Sequence, residues 1–268
     1  MNNAGDRQVL VRRDARPQGV VAYVTVNNPQ KLNAMSGAMI DALASVFREL
    51  GADTHLRAVV LTGAGAESFV AGADINEMAA IKDAAEATAF ITRLHRACDA
   101  IRNCPVPVIA RVQGYAFGAG LEIAAACDVR IVANTARFGM QEVKLGIPSV
   151  IEAALLPTLV GFGRAREIMY LGETFGSTDA LAWGLVEHVV PAAALDAKVE
   201  DWIAKLLTSA PGAVRLQKQL MRQWEDLPLT AAIEAGIGAF AAAYGSDEPK
   251  ATMAKFLAAR QTRKKGAS

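Results

Sequence analysis

Residues that staple or metallate proteins are scarce in this chain. There are three cysteines in 268 residues. Cys98, Cys104 and Cys127 are odd in number and lack metal-ligand spacing. A disulfide framework is therefore excluded, and reduced thiols in a cytoplasmic protein are expected. The three histidines, His55, His95 and His188, are scattered. Each reads as a surface or packed side chain rather than a ligand or base, and no metal site is expected. No apolar run reaches the roughly 18 residues of a membrane span. The Ala-rich stretches near Ala124 and Ala239 are broken by polar residues and read as buried helix. Neither charge sign is in excess: 28 Lys and Arg stand against 27 Asp and Glu, a net charge of +1. Composition thus implies no nucleic-acid surface. The basic cluster from Arg260 to Lys265 reads as a solvated tail. The start, Met1 to Asp6, is polar and has no apolar signal-peptide core, so no signal peptide is expected.

Several catalytic signatures are missing as well. No Walker loop and no Gly-x-Ser-x-Gly elbow is present. The dinucleotide fingerprint fails twice, because Gly63-Ala64-Gly65 is followed by Ser68 and Gly118-Ala119-Gly120 by Ile123.

What remains is a hydrophobic content of 52%, ample for a large core. Val9–Val11 and Val20–Val26 read as strands. Ser36 can cap a helix carrying Met39, Leu43, Val46, Phe47 and Leu50 at helical spacing, which Gly51 stops. The chain continues with a strand Arg57–Thr62, a loop Gly63–Gly72 and a helix Asp83–Arg102 ended by Pro105 and Pro107. A strand Val108–Val112, a glycine turn, a short helix Ala119–Cys127 and a strand Val129–Ala133 follow. Ser177 can cap a helix to Trp183, and Val186–Val190 is the next strand. The alternation predicts a layered α/β fold over residues 1–190. After Pro191 the pattern is helical only, which predicts a separate helical region over 191–268.

With histidine and cysteine set aside, carboxylates are left to carry chemistry. Gly114-Tyr115-Ala116-Phe117-Gly118-Ala119-Gly120-Leu121-Glu122 puts small residues and an acid at a helix start. Such a start leaves N–H donors unpaired, and a glutamate beside them can move a proton while the donors hold negative charge. Glu142 follows in Phe138-Gly139-Met140-Gln141-Glu142. A second small-residue turn, Ser68-Phe69-Val70-Ala71-Gly72-Ala73-Asp74-Ile75, also follows a strand. Two such turns facing one oxygen make an oxyanion hole. Tight turns packed for shape alone, with Asp74 as a cap, Glu122 as helix-end electrostatics and Glu142 as a solvated acid, fit the composition equally well.

These pieces, in this order, resemble the crotonase (enoyl-CoA hydratase/isomerase) superfamily, and an enoyl-CoA hydratase most of all. The resemblance runs from about Val20 to the C-terminus. It is carried by Asn28-Pro29-Gln30-Lys31-Leu32-Asn33-Ala34, by Phe69 to Met78, by Pro107 to Glu122, by Cys127-Asp128, by Phe138 to Glu142 and by Ala180 to Val186. It implies a repeated ββα superhelix with a C-terminal helical oligomerisation region, giving a homotrimer or hexamer. The substrate it implies is an acyl-CoA thioester of fatty acid metabolism, with no further cofactor and no nucleic-acid or membrane partner. The amides of Ala73 and Ala119 match the oxyanion-hole positions. Ala71, Asp74 and Ile75 lie on the segment that lines the CoA adenine, Lys31 sits where a base meets CoA phosphates, and Phe256 with the basic tail contributes from a neighbouring subunit. Phe117, Met78, Ile81, Phe90, Ile147 and Val150 are expected around the acyl chain.

Glu122 and Glu142 match the two hydratase acids. The resemblance implies that both hold one water, Glu122 taking its proton as hydroxide reaches C3 and Glu142 protonating C2. Two departures stand out. Position 119 is Ala where many members have Gly. After Gly146-Ile147-Pro148, where many have a Gly-rich turn, the chain reads Ser149-Val150-Ile151-Glu152. Val and Ile resist positive φ, so a differently started helix and a reshaped pocket are expected there. Glu152, a third acid nearby, reads as structural, a cap. The alternatives are Δ3-Δ2-enoyl-CoA isomerisation, which needs one acid–base group, and related thioester hydrolysis or decarboxylation. An RNA-binding protein of this fold, with relic acids, is disfavoured by the neutral charge and the lack of a basic stripe.

Overall fold

The computed structural model describes residues 8–265, with side chains through residue 260. The chain forms two compact units, Met1–Ile203 and Ala204–Ser268. The break falls inside a helix, later than the compositional switch at Pro191.

The first unit is built on two sheets. β1 (Val9–Arg16) and β2 (Gly19–Val26) form an antiparallel pair. Parallel strands β3 (Leu56–Gly63), β5 (Val108–Val112), β7 (Val129–Ala133) and β10 (His188–Val190) extend it to six strands in the order β1-β2-β3-β5-β7-β10. A smaller sheet has the order β4-β6-β8-β9, from Ser68–Val70, Tyr115–Phe117, Arg137–Gly139 and Phe175–Gly176. The chain therefore lays one strand in the large sheet, a short one in the small sheet, then a helix, and repeats. This is the expected ββα superhelix. The stretch 63–72, expected as a loop, contains β4, and the glycine turn contains β6. Three residues cannot display the alternation that marks a strand.

The helices follow from local signals. α1 (Gly37–Gly51) is capped by Ser36, whose Oγ accepts the Met39 N–H at 3.3 Å, a contact worth about 1 kcal/mol. It buries Met39, Ile40, Leu43, Ala44, Phe47 and Leu50, each large apolar side chain contributing about 1.5–3 kcal/mol. α2 (Ile75–Ala79) is capped by Asp74 and α3 (Ala84–Arg102) by Asp83. α4 (Ala119–Ala126) is buried along its whole length. Its alanines allow that, and Gly120 is required: a Cβ there would lie 1.9 Å from Val70 O of β4. At its C-terminal end the buried Arg130 donates to the carbonyls of Ala124 and Cys127 and pairs with Glu187, which complements the helix dipole. α5 (Leu156–Leu171) and α6 (Ser177–Ala182) complete the layer. Ser177 is not the cap of α6. It is the first helical residue, and its hydroxyl donates to Asn134 O at 2.9 Å.

α7 (Leu195–Leu207) leads into the second unit, which holds α8 (Pro211–Trp224), α9 (Leu229–Ala243) and α10 (Glu248–Lys265). There the Trp224 indole donates to Ala232 O at 2.8 Å, and Glu248 accepts the Gly212 and Ala213 N–H groups at the start of α8. No helix among the described residues is long and apolar enough to cross a membrane.

Candidate functional site

A cavity in the first unit collects the two small-residue turns and both acids. Its lining includes Ala71, Gly72, Ala73, Ile75, Phe117, Gly118, Ala119, Glu122 and Glu142, with Met78, Phe90, Ile147 and Val150 on the apolar side. Ile81, expected with these, does not line it. Gln141, Leu145 and Pro148, not expected, do.

The Asn28–Ala34 segment builds one wall. Asn33 takes a left-handed φ of 59°, which Asn tolerates, and donates from Nδ2 to Ala64 O and Ser68 O at 2.9 Å each. Its Oδ1 accepts the Asn28 N–H. The segment then binds the turn directly. Ala71 N–H donates to Leu32 O, Met35 N–H to Gly72 O and Asp74 N–H to Met35 O. That bridge uses the groups on either side of Ala73 and leaves the Ala73 N–H outside the pairing. Ala119 is the first residue of α4, so its N–H has no intrahelical acceptor. Two amides with no helix or strand partner thus line one cavity, at the positive end of a helix.

Lys31 does not stand free. Its Nζ pairs with Asp74 at 3.0 Å, and Asp74 also caps α2 by accepting the Asn76 N–H. The Lys31 ammonium, then the Asn76 amide, lower the Asp74 pKa. Ile75 is 60% exposed at the rim. Phe256 belongs to the second unit, on α10, with an exposed ring. Beyond Arg260, the side chains of the basic tail lie outside the described residues.

Glu122 is 4% exposed, in the first turn of α4. Burial, then the Glu142 charge, push its pKa up to about 8, against the Ala153 N–H donated to its Oε1 at 3.2 Å; Glu152 raises it further. A pKa of about 8 favours the protonated form of Glu122 at neutral pH, the reverse of the state in which a base starts. Glu142 opens a 3-10 turn, Glu142–Leu145. Its Oε1 lies over Gly118, where a Cβ would sit 2.6 Å away and push the carboxylate aside, and the Gly118 φ of 49° favours glycine there in any case. Its Oε2 accepts the Ser149 hydroxyl at 3.0 Å. Ser149 was legible only as part of the unusual turn, and nothing in its sequence context signalled that bond.

That turn corrects two expectations. Ile151 does adopt a positive φ, 44°, despite its branched Cβ, a strain of about 1–2 kcal/mol. The chain then forms a 3-10 segment, Ile151–Leu155, that runs straight into α5. Glu152 caps nothing: Val150 precedes the segment, with no side-chain cap bond. Instead the Glu152 carboxylate is buried and bonded to His95 at 2.9 Å. Among the described residues no group of three or more His, Cys, Asp or Glu could hold a metal ion.

A ββα superhelix whose cavity combines the turn amide of Ala73 and the helix-start amide of Ala119 with two carboxylates defines an acid–base enzyme for carbonyl compounds. The chain belongs to the enoyl-CoA hydratase/isomerase family, whose model matches residues 16–266. It is similar to the short-chain-enoyl-CoA hydratase of Clostridium acetobutylicum, 36% identical over 91% of this chain and 94% of that protein. It is also similar to the crotonyl-CoA hydratase of Syntrophomonas wolfei, 32% identical over 90% and 93%. The crystal structure of an enoyl-CoA hydratase from Bacillus anthracis superposes with a TM-score of 0.88 at 29% identity, covering 94% of this chain and 96% of that one.

Proposed function

We infer that this protein is an enoyl-CoA hydratase, adding water reversibly to a 2-enoyl-CoA to give a 3-hydroxyacyl-CoA. The observation that carries this reading is the presence of two carboxylates, Glu122 and Glu142, in one cavity with the Ala73 and Ala119 amides. An isomerase needs one acid–base group, whereas hydration must take a proton from water and give one to C2. The thioester oxygen, polarised by the two amides, makes C3 electrophilic and holds enolate charge as the hydroxyl adds. One such donor is worth about 3 kcal/mol. Glu122 takes the water proton and Glu142 delivers a proton to C2. The proton then rests on Glu122, where burial already favours it, so the resting cavity corresponds to the end of hydration. Each hydration turnover must return that proton before the next.

CoA is carried by the substrate, and no other cofactor is needed. The adenine end lies along Ala71, Asp74 and Ile75. Lys31 reaches a phosphate by exchanging Asp74 for it. A panel of 2-enoyl and 3-enoyl-CoA thioesters, followed by mass, tests the reading. Gain of one water on crotonyl-CoA is expected. Double-bond movement without mass gain would replace hydratase by isomerase.

Three buried cysteines outside any disulfide suit a reducing, cytoplasmic setting. The second unit supports assembly. On α9, Leu229, Ile233, Ile237 and Phe240 recur at helical spacing, continued by Tyr244 at its C-cap, and all five are exposed. A stripe of that kind is covered by other copies of the chain, as a trimer or hexamer. Ile237→Asp is expected to lower the mass found by light scattering at micromolar protein. A wild-type monomer under the same conditions would rule the assembly out.

A further inference from the structure

Behind the cavity lies a group that the hydration chemistry does not use. Glu152 is 4% exposed. Its Oε1 meets His95 Nδ1 at 2.9 Å and Arg102 at 3.9 Å, both on α3. Its Oε2 is buried with no hydrogen-bond partner among the described residues. A buried carboxylate oxygen left unpaired is costly, by about 1–3 kcal/mol or more. It also follows Ile151, the residue held at a φ of 44°. Two unfavourable features in consecutive residues need a compensating purpose. The next residue supplies a candidate, because the Ala153 N–H is the one donor on the Glu122 carboxyl among the described residues.

We propose that Glu152 is a positioning residue for Glu122: pinned to α3 through His95 and Arg102, it holds the Ala153 N–H on Glu122 Oε1 and places a negative charge beside the acid pair. This rests on the hydratase reading only in giving the Glu122 proton a catalytic use. The groups facing Glu122 are Glu142 and Glu152 from the two 3-10 segments and Cys98 from α3. Those facing Glu152 are His95, Arg102 and Cys98. Burial first, then Glu152, raise the Cys98 pKa well above its ordinary value, so the thiol stays neutral and adds no charge. Glu152 is thus a negative group beside Glu122 in addition to Glu142, and Arg102 is a permanent positive counterweight. His95 is 49% exposed, so the pair reaches solvent on the outer side of α3.

The test is the pH midpoint of Glu122 itself, read in the free enzyme from the carboxylic C=O infrared band that Glu122→Gln removes. Glu152→Gln keeps the shape and a hydrogen bond to His95 but deletes the charge. Its Glu122 midpoint is expected to fall by about 1 pH unit. Arg102→Gln deletes the counter-charge and is expected to raise the midpoint. A residue that only braces the turn would lower the melting temperature and leave both midpoints where they are, and that result overturns the proposal. If Glu152→Gln does not fold, Arg102→Gln decides alone: an upward move supports the coupling, and no move or a downward one ends it. Since the band is read without substrate, a failed hydration assay leaves this outcome unaffected. Where crotonyl-CoA is hydrated, the pH–rate profile should move in the same directions as the band.

Discussion

Glu122→Gln and Glu142→Gln are each expected to slow crotonyl-CoA hydration by about 10²–10⁴-fold while binding of a CoA thioester is retained. Glutamine matches glutamate in shape. At 122 its carbonyl can still accept the Ala153 N–H, and at 142 it can still accept the Ser149 hydroxyl, so the cavity wall persists. Only the ability to gain or lose a proton is removed. Hydration places one proton on each side of one step, so neither acid can substitute for the other. The double variant should then be scarcely slower than either single one, because residues that act as a unit are not additive. Steady-state rates with calorimetric measurement of thioester binding check both parts. Hydration unchanged in one of the two variants would leave a single acid–base group making both proton transfers and would overturn the two-acid assignment.

The ease with which these acids are found contrasts with the rest of the site. Glu122 and Glu142 stand in short, ordered motifs flanked by glycine. Gly118 and Gly120 are there for reasons a sequence can hint at, since each marks a close approach of backbone to something else. The structure supplies the partner, Glu142 Oε1 for one and Val70 O for the other. The large sheet and its helices were legible too, because β2, β3, β5 and α1 carry runs long enough to show their period. The small sheet was not, since β4, β6 and β8 are three residues each, too short to show a period. The least legible part is residues 149–153. Val150 and Ile151 argue against a left-handed turn on propensity alone, and tertiary contacts override that preference by packing Ile151 on the core and tying Glu152 to α3. His95 looked inert because its partner lies 57 positions away in sequence. Contacts of that separation leave no local signature, whereas helix caps and glycine turns do.

The raised pKa of Glu122 also has a stability consequence, and it runs opposite to the usual carboxylate. An unfolded glutamate titrates near its ordinary 4.5, but folding raises Glu122 to about 8. Between those values the folded protein holds a proton that the unfolded chain releases. Folding stability from this group is therefore fully present below pH about 4.5. It declines as pH rises and is lost once pH passes about 8. The cost at alkaline pH is on the order of 3–5 kcal/mol, a large part of a typical domain's stability. Glu122→Gln removes the titration and keeps the packing. The variant should melt close to the wild type near pH 5 and above it at pH 9, by roughly 5–15 °C for a chain of this size. Subtracting one melting curve from the other across pH cancels every other titrating group, so the difference reports Glu122 alone. Parallel curves from pH 5 to 9 would mean that the folded protein does not hold this proton. The expected divergence ties the two effects together: a substitution that damages turnover also stabilises the protein above pH 8, because a buried acid is tolerated there for its reactivity and not for the fold.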